Sequence, residues 1–171
     1  YGRGSAFLVN EEYIITAYHC VMPSSLELDY FGLTQQDVLD RSTYTVTITG
    51  DFQVSAELAW RSEKQDLAIL KLDQKLNNVK VLTLRDSSTV EASEPVFSLG
   101  FPVTADQNAV VTFTSDDVTV VDGTISKPEG QMAYYTNTGQ ECQGSFLMST
   151  CRIEGGSSGG PMVDDQGNGV G

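Results

Sequence analysis

Apolar, aromatic and β-branched residues occur along this chain in short runs, each soon interrupted by turn-forming residues. A first set comprises Ala6–Val9, Tyr13–Thr16, Tyr44–Thr49, Val54–Trp60 and Leu67–Leu72. A second set follows at Pro95–Leu99, Ala109–Thr114, Val118–Val121, Met132–Thr136, Phe146–Thr150 and Pro161–Val163. Between them stand Asn10-Glu11-Glu12, Gly50-Asp51, Asp122-Gly123, Lys127-Pro128-Glu129-Gly130 and Asp165-Gln166-Gly167-Asn168-Gly169. Such residues stop regular elements and turn the chain. Runs this short and this regularly punctuated predict strands packed as a sandwich or as barrels, not βαβ units.

Two stretches depart from the rhythm. Pro23 to Arg41 is long for a hairpin connection and scatters Leu26, Leu28, Leu33, Val38 and Leu39 among polar residues. It reads as an inserted surface segment with a helical turn. The polar stretch Leu84–Glu94 is the candidate linker between two lobes. It divides a single domain into a first lobe of about 1–84, a linker of about 85–94 and a second lobe of about 95–171.

Composition narrows the possible partners. Of 171 residues, 40% are hydrophobic and 19% charged, as in globular domains. Ten Lys and Arg stand against 23 Asp and Glu, for a net charge of −13. Phosphate backbones repel such a surface, so nucleic acid is not an expected partner. No run approaches the ~20 apolar residues of a bilayer span, and no signal-peptide pattern opens the chain. The residues fix neither compartment nor oligomeric state, though the reading leans toward a secreted or extracytoplasmic setting. Cys20, Cys142 and Cys151 match no metal-ligand spacing, and with a single histidine in the chain a structural zinc site is not expected. Cys142 and Cys151 are either joined across a hairpin or, with Cys20, simply reduced thiols.

Three segments hold candidate chemistry. The run Ile14-Ile15-Thr16-Ala17-Tyr18-His19-Cys20 ends in the only histidine. Imidazole titrates near neutrality and serves as a general base without special tuning, although a lone histidine at a strand end is more often structural. In Asp66-Leu67-Ala68-Ile69-Leu70-Lys71-Leu72 an acid directly precedes an apolar strand. Turned inward, its carboxylate would accept an imidazole Nδ1–H and fix the tautomer; turned outward, it is a solvated turn residue. The third segment is Gly155-Gly156-Ser157-Ser158-Gly159-Gly160-Pro161. Glycines here permit a sharp turn, close approach of substrate and backbone N–H groups aimed at an oxyanion. A Gly/Ser linker is the alternative, but it would not need the ordered Gly-Gly-Pro.

Together, Tyr18-His19-Cys20, Asp66-Leu67-Ala68-Ile69-Leu70 and Gly156-Ser157-Ser158-Gly159-Gly160-Pro161 resemble the three signatures of the chymotrypsin (trypsin-like) serine peptidase family. Their order, His then Asp then Ser, matches that family and differs from the subtilisin and α/β-hydrolase orders. Gly4-Ser5-Ala6-Phe7-Leu8-Val9, Val96-Phe97-Ser98-Leu99-Gly100-Phe101-Pro102 and the short second lobe are more similar to the bacterial HtrA-type branch than to digestive trypsins. The resemblance implies an all-β fold of two packed six-stranded antiparallel barrels with the active site in the cleft between them. His19 and Asp66 would lie on the first barrel and Ser158 on the second. The family continues beyond the equivalent of Gly171 with another strand, so the second barrel is expected to be incomplete.

Both Ser157 and Ser158 sit in a Gly-x-Ser-x-Gly frame, and only the family's Gly-Gly-Pro after its nucleophile selects Ser158. The resemblance then implies an oxyanion hole from the N–H groups of Gly156 and Ser158, and no metal or organic cofactor. Departures matter too. Ser157 replaces the aspartate that pairs with a freed N-terminus in trypsins, so that activation switch is expected to be absent. Cys20 lacks its usual partner near Gly2. Arg152 stands where trypsin has its specificity aspartate, which makes Arg152 and neighbouring Ile153 the candidate substrate-binding residues. The expected function is a serine endopeptidase acting on protein or peptide substrates. The competing reading is a catalytically silent trypsin-like module used for binding or assembly.

Overall fold

The computed structural model describes residues 3–49, 52–102, 117–136 and 138–171. Among them, nine strands form two antiparallel sheets. The first holds β1 (Phe7–Leu8), β2 (Tyr13–Ala17), β3 (Tyr44–Thr49), β4 (Phe52–Ser62) and β5 (Leu67–Leu72), in the order β1-β2-β5-β4-β3. The second holds β6 (Pro95–Gly100), β7 (Thr119–Tyr135), β8 (Glu141–Ser149) and β9 (Met162–Asp164), in the order β8-β7-β6-β9. These curled sheets are incomplete half-barrels of the expected chymotrypsin type, with five and four strands among the described residues where six and six were expected. The expected strand Ala109–Thr114 and the turn Gly50-Asp51 lie outside the described residues.

Period-two alternation builds the first sheet. On β5, Ala68, Leu70 and Leu72 are buried while Leu67 faces out, as a strand with one covered face requires. Their side chains join Ile14, Tyr18, Met22 and Val54 in one core. The second sheet has a smaller core around Val90, Val96, Ile125 and Val170.

The segment expected as a surface insertion is more ordered than its pattern suggests. It forms two helices, α1 (Ser25–Phe31) and α2 (Gln35–Arg41). Each opens on a capping box: Ser24 with Glu27, and Thr34 with Asp37, exchange side-chain and backbone hydrogen bonds reciprocally. Seven residues are too few for an isolated helix. Leu28 and Val38 supply the tertiary anchor, both packed into the first core, at roughly 1.5–3 kcal/mol of transfer free energy for each side chain fully buried.

Two expected turns are strand instead. Asp122-Gly123 and Lys127–Gly130 both fall inside β7, a continuous strand of 17 residues. The pairing with β8 shifts register between Ile125 and Lys127 and again between Lys127 and Gly130. Pro128 sits in that bulged stretch, where a missing N–H removes no ladder bond. At Gly123 an added Cβ would lie 2.7 Å from both the amide nitrogen and the Sγ of Cys151. A close backbone crossing, not a turn, calls for that glycine.

The segment after the first sheet is anchored to the second. Arg85 donates to the Glu94 carboxylate at 2.8 Å and to Asp164 at 3.4 Å. Leu84 bridges Gly169.

Candidate active site

Antiparallel register brings His19 and Asp66 together. Ala17 on β2 pairs with Leu67 on β5, so the residues just past one strand and just before the other meet at the open end of the pair. His19 lies in a single 3-10 turn, Tyr18–Cys20. Asp66 closes the turn Glu63–Asp66, its N–H donating to the Glu63 carbonyl at 3.1 Å. Its φ of 51° is left-handed, a region where aspartate is several-fold enriched among non-glycine residues. Tyr18 N–H donates to the Asp66 carbonyl at 3.0 Å. The Asp66 carboxylate then takes the His19 backbone N–H on Oδ1 at 3.0 Å, and its Oδ2 lies 2.7 Å from Nδ1. The hydrogen bond to Asp66, and after it contact with Cys20, raises the His19 pKa above its ordinary 6.5; partial burial opposes them.

Ser158 reaches this edge through its backbone. Its carbonyl accepts the Ser5 N–H at 2.7 Å and the Cys20 thiol at 3.5 Å. Ser5 Oγ donates to the Gly156 carbonyl at 2.9 Å, and Thr16 Oγ1 donates to the Ser5 carbonyl at 2.7 Å. A Cβ on Gly159 would fall 2.3 Å from both the Ser5 carbonyl oxygen and Thr16 Oγ1. The loop therefore docks on the first sheet only because no side chain intervenes. Among the described residues no hydrogen bond joins His19 to Ser158.

The turn Glu154–Ser157 is closed by Ser157 N–H to the Glu154 carbonyl at 3.2 Å, with φ of 95° at Gly156. Neither the Gly156 nor the Ser158 N–H donates to a partner among the described residues. Ser157 packs the other way: its Cβ is 2.8 Å from where a Cβ on Gly100 would stand. Arg152 and Ile153 are both solvent-exposed. Arg152 forms no ion pair with Glu141 or Glu154 among the described residues. All three cysteines are free, so the bridged reading of Cys142 and Cys151 is set aside.

A cleft beside His19 and Asp66 is lined also by Glu63, Tyr134, Tyr135 and Thr136. The sequence reading missed this wall and missed Ser5. Tyr134–Thr136 belong to the end of a β7–β8 hairpin that no motif marks. Ser5 had a signal, since it lies in the stretch carrying the HtrA-type likeness.

Two antiparallel half-barrels, with a His–Asp pair and a glycine-held serine loop where they meet, are the architecture of a chymotrypsin-type serine peptidase domain. The chain belongs to the trypsin-like peptidase family, whose domain model matches residues 4–171, and its relatives place it on the bacterial HtrA-type branch. "Serine protease Do-like HtrA" of Lactococcus lactis subsp. cremoris (strain MG1363) is 26% identical over 162 residues, covering 94% of this chain and 33% of that protein. "Probable periplasmic serine endoprotease DegP-like" of Halomonas elongata is 25% identical over 169 residues, covering 98% and 28%. The crystal structure of Deg5 superposes with a TM-score of 0.65 at 23% identity, covering 99% of this chain and 72% of that one; it bears on the fold alone. The chain spans about a third of the length of these curated relatives. No helix among the described residues is long and apolar enough to cross a membrane.

Proposed function

We propose that this chain is the peptidase unit of a serine endopeptidase that cleaves protein or peptide substrates through an acyl-enzyme on Ser158. The observation that carries this reading is the 2.7 Å contact between His19 Nδ1 and Asp66, at the edge where the Ser158 backbone docks. With Nδ1–H donated to the carboxylate, Nε2 is the free base. It takes the Ser158 hydroxyl proton as Oγ attacks the scissile carbonyl, and the imidazolium then gives that proton to the leaving amine. Water, deprotonated the same way, releases the acyl group. The N–H groups of Gly156 and Ser158 stabilise the oxyanion in both halves. Hydrogen bonds of this kind are often long in the free enzyme and tighten around substrate, which accommodates the unmade contact between His19 and Ser158. The likeness to a protein described as periplasmic favours an extracytoplasmic site of action.

The test is covalent labelling with a fluorophosphonate. Labelling is expected to disappear in Ser158→Ala and to persist in Ser157→Ala. An adduct mapped to Ser157 would overturn the choice of nucleophile. A folded wild-type chain that does not label at all would point to the silent, binding module.

A further inference from the structure

The turn that carries Asp66 is held from two sides. Its own backbone and the 3-10 turn at Tyr18–Cys20 hold its base, as described above. Its outer residues are gripped by the second sheet. Tyr134 Oη donates to the Lys64 carbonyl, and Thr138 Oγ1 donates to Glu63 Oε1. Neither contact belongs to the proton-transfer chain, and both reach from β7 and its hairpin end to the β4–β5 turn.

Tyr134 is itself fixed in place. Its ring meets Phe146 edge-on, with centroids 5.1 Å apart and planes at 86°. Gly144 leaves the room for this pair, because a Cβ there would stand 3.0 Å from the Phe146 ring and 3.4 Å from that of Tyr134. Beyond it the hairpin closes through Thr136 N–H to the Gln140 carbonyl at 2.8 Å and Gly139 N–H to the Thr136 carbonyl at 2.9 Å. A left-handed aspartate persists only where its surroundings over-determine the backbone. The Glu63–Asp66 turn lies between two sheets, and the phenol is an element of the second that is locked onto it.

We propose that Tyr134 is a positioning residue for Asp66: by pinning the Lys64 carbonyl it holds the turn so that the carboxylate meets both the His19 backbone and Nδ1. The inference rests on the reading of His19 and Asp66 given under the proposed function. It makes the β7–β8 hairpin part of the His–Asp side of the site, so that the second sheet supplies both the serine loop and a support for the acid.

His19 is the only histidine, so its ring signals in NMR are unambiguous. The groups that face it are Asp66, Cys20 and, across the cleft, Glu63, Tyr134 and Tyr135. Tyr134→Phe keeps the ring and its contact with Phe146 and removes only the hydroxyl. Its His19 titration midpoint is expected to fall toward 6.5, and its plateau rate of fluorophosphonate labelling to drop about two- to tenfold, the worth of one hydrogen bond. Tyr30→Phe, on the exposed face of α1, is the control and should change neither. Equal midpoints in wild type and Tyr134→Phe would overturn the proposal. If the wild type does not label, the proposed function fails, while the midpoint comparison still decides this inference. If Tyr134→Phe does not fold, Thr138→Val takes its place: a lowered midpoint upholds the role of the hairpin and an unchanged one overturns it.

Discussion

Ser5 Oγ donates to the Gly156 carbonyl at 2.9 Å, joining the start of the first sheet to the turn that precedes Ser158. The same hydroxyl accepts the Phe101 N–H at 2.9 Å, and the residue is 3% exposed. One small side chain thus ties together the first sheet, the end of β6 and the serine loop.

Ser5→Ala should therefore cost about 1–3 kcal/mol, the range for removing a buried hydrogen-bonding group and leaving its partner short. Urea unfolding measures it. Labelling of Ser158 should slow as well, because the Gly156 carbonyl loses the donor that fixes its peptide. An unchanged unfolding midpoint would show that the hydroxyl is replaceable by solvent.

Most strands are legible in the sequence because each rests on a local pattern, and the motifs that hold His19, Asp66 and Ser158 are equally local. Leu67–Leu72 alternates cleanly, and its bounds are found as expected. The continuity of β7 was not legible: its ends were expected as the strands Val118–Val121 and Met132–Thr136, but Asp122-Gly123 and Lys127–Gly130 between them carry every local mark of turns. The first continues as strand because it pairs with a segment distant in sequence, Asp122 with Phe97 and Gly123 with Val96, while Cys151 beside Gly123 calls for the glycine. The helices were half-legible, since Ser24-x-x-Glu27 and Thr34-x-x-Asp37 are capping boxes written in the chain. Tyr134 reaches a backbone carbonyl 70 residues away, a contact that leaves no residue-type signature, whereas Ser5, whose carbonyl partner is 151 residues away, is marked only by the HtrA-type stretch that holds it.

Gly159→Ala should be far more damaging than Gly155→Ala. At Gly159 φ is 85° and a Cβ would meet the Ser5 carbonyl oxygen, Thr16 Oγ1 and the Ala17 amide nitrogen at 2.3, 2.3 and 2.8 Å. Two of those atoms are backbone and have little room to yield. At Gly155 nothing lies within 4 Å. The expected outcome is a loss well beyond the ~1 kcal/mol of an ordinary substitution for Gly159→Ala, with its labelling abolished. Gly155→Ala should keep the wild-type unfolding midpoint. Equal stability of the two would contradict the close docking of the loop.

The pH dependence follows from His19. Its pKa is raised above 6.5, chiefly by Asp66, so the neutral base accumulates only on the alkaline side of that value. Labelling of Ser158 should climb with pH through a midpoint above 6.5. In Asp66→Asn the His19 midpoint in NMR should fall back, because a carboxylate charge no longer favours the imidazolium. The linkage to folding has the matching sign. A raised folded pKa means that the His19–Asp66 pair adds stability below the unfolded value, near 6.5, and loses it as pH rises through the folded one. A labelling midpoint at or below 6.5 would contradict the pairing.

Specificity is the last expectation, and exposure sets its size. Arg152 lies six residues before Ser158 and is solvent-exposed, without an ion-pair partner in Glu141 or Glu154 among the described residues. On a substrate bound beside it, its charge would therefore act through water. Exposed ion pairs are worth about 0.2–1 kcal/mol, a few-fold in rate rather than the orders of magnitude a buried specificity charge gives. Neighbouring Ile153, 59% exposed, offers apolar contact beside it. A peptide-library profile should accordingly favour acidic or small apolar residues before the scissile bond and disfavour Lys and Arg. Arg152→Glu should narrow or reverse that bias, and raising the salt toward 1 M, where the screening length is about 3 Å, should flatten it. Strong cleavage after basic residues by the wild type at low salt would remove Arg152 from the substrate's path. A bias that survives high salt would mean that the guanidinium is enclosed when substrate binds.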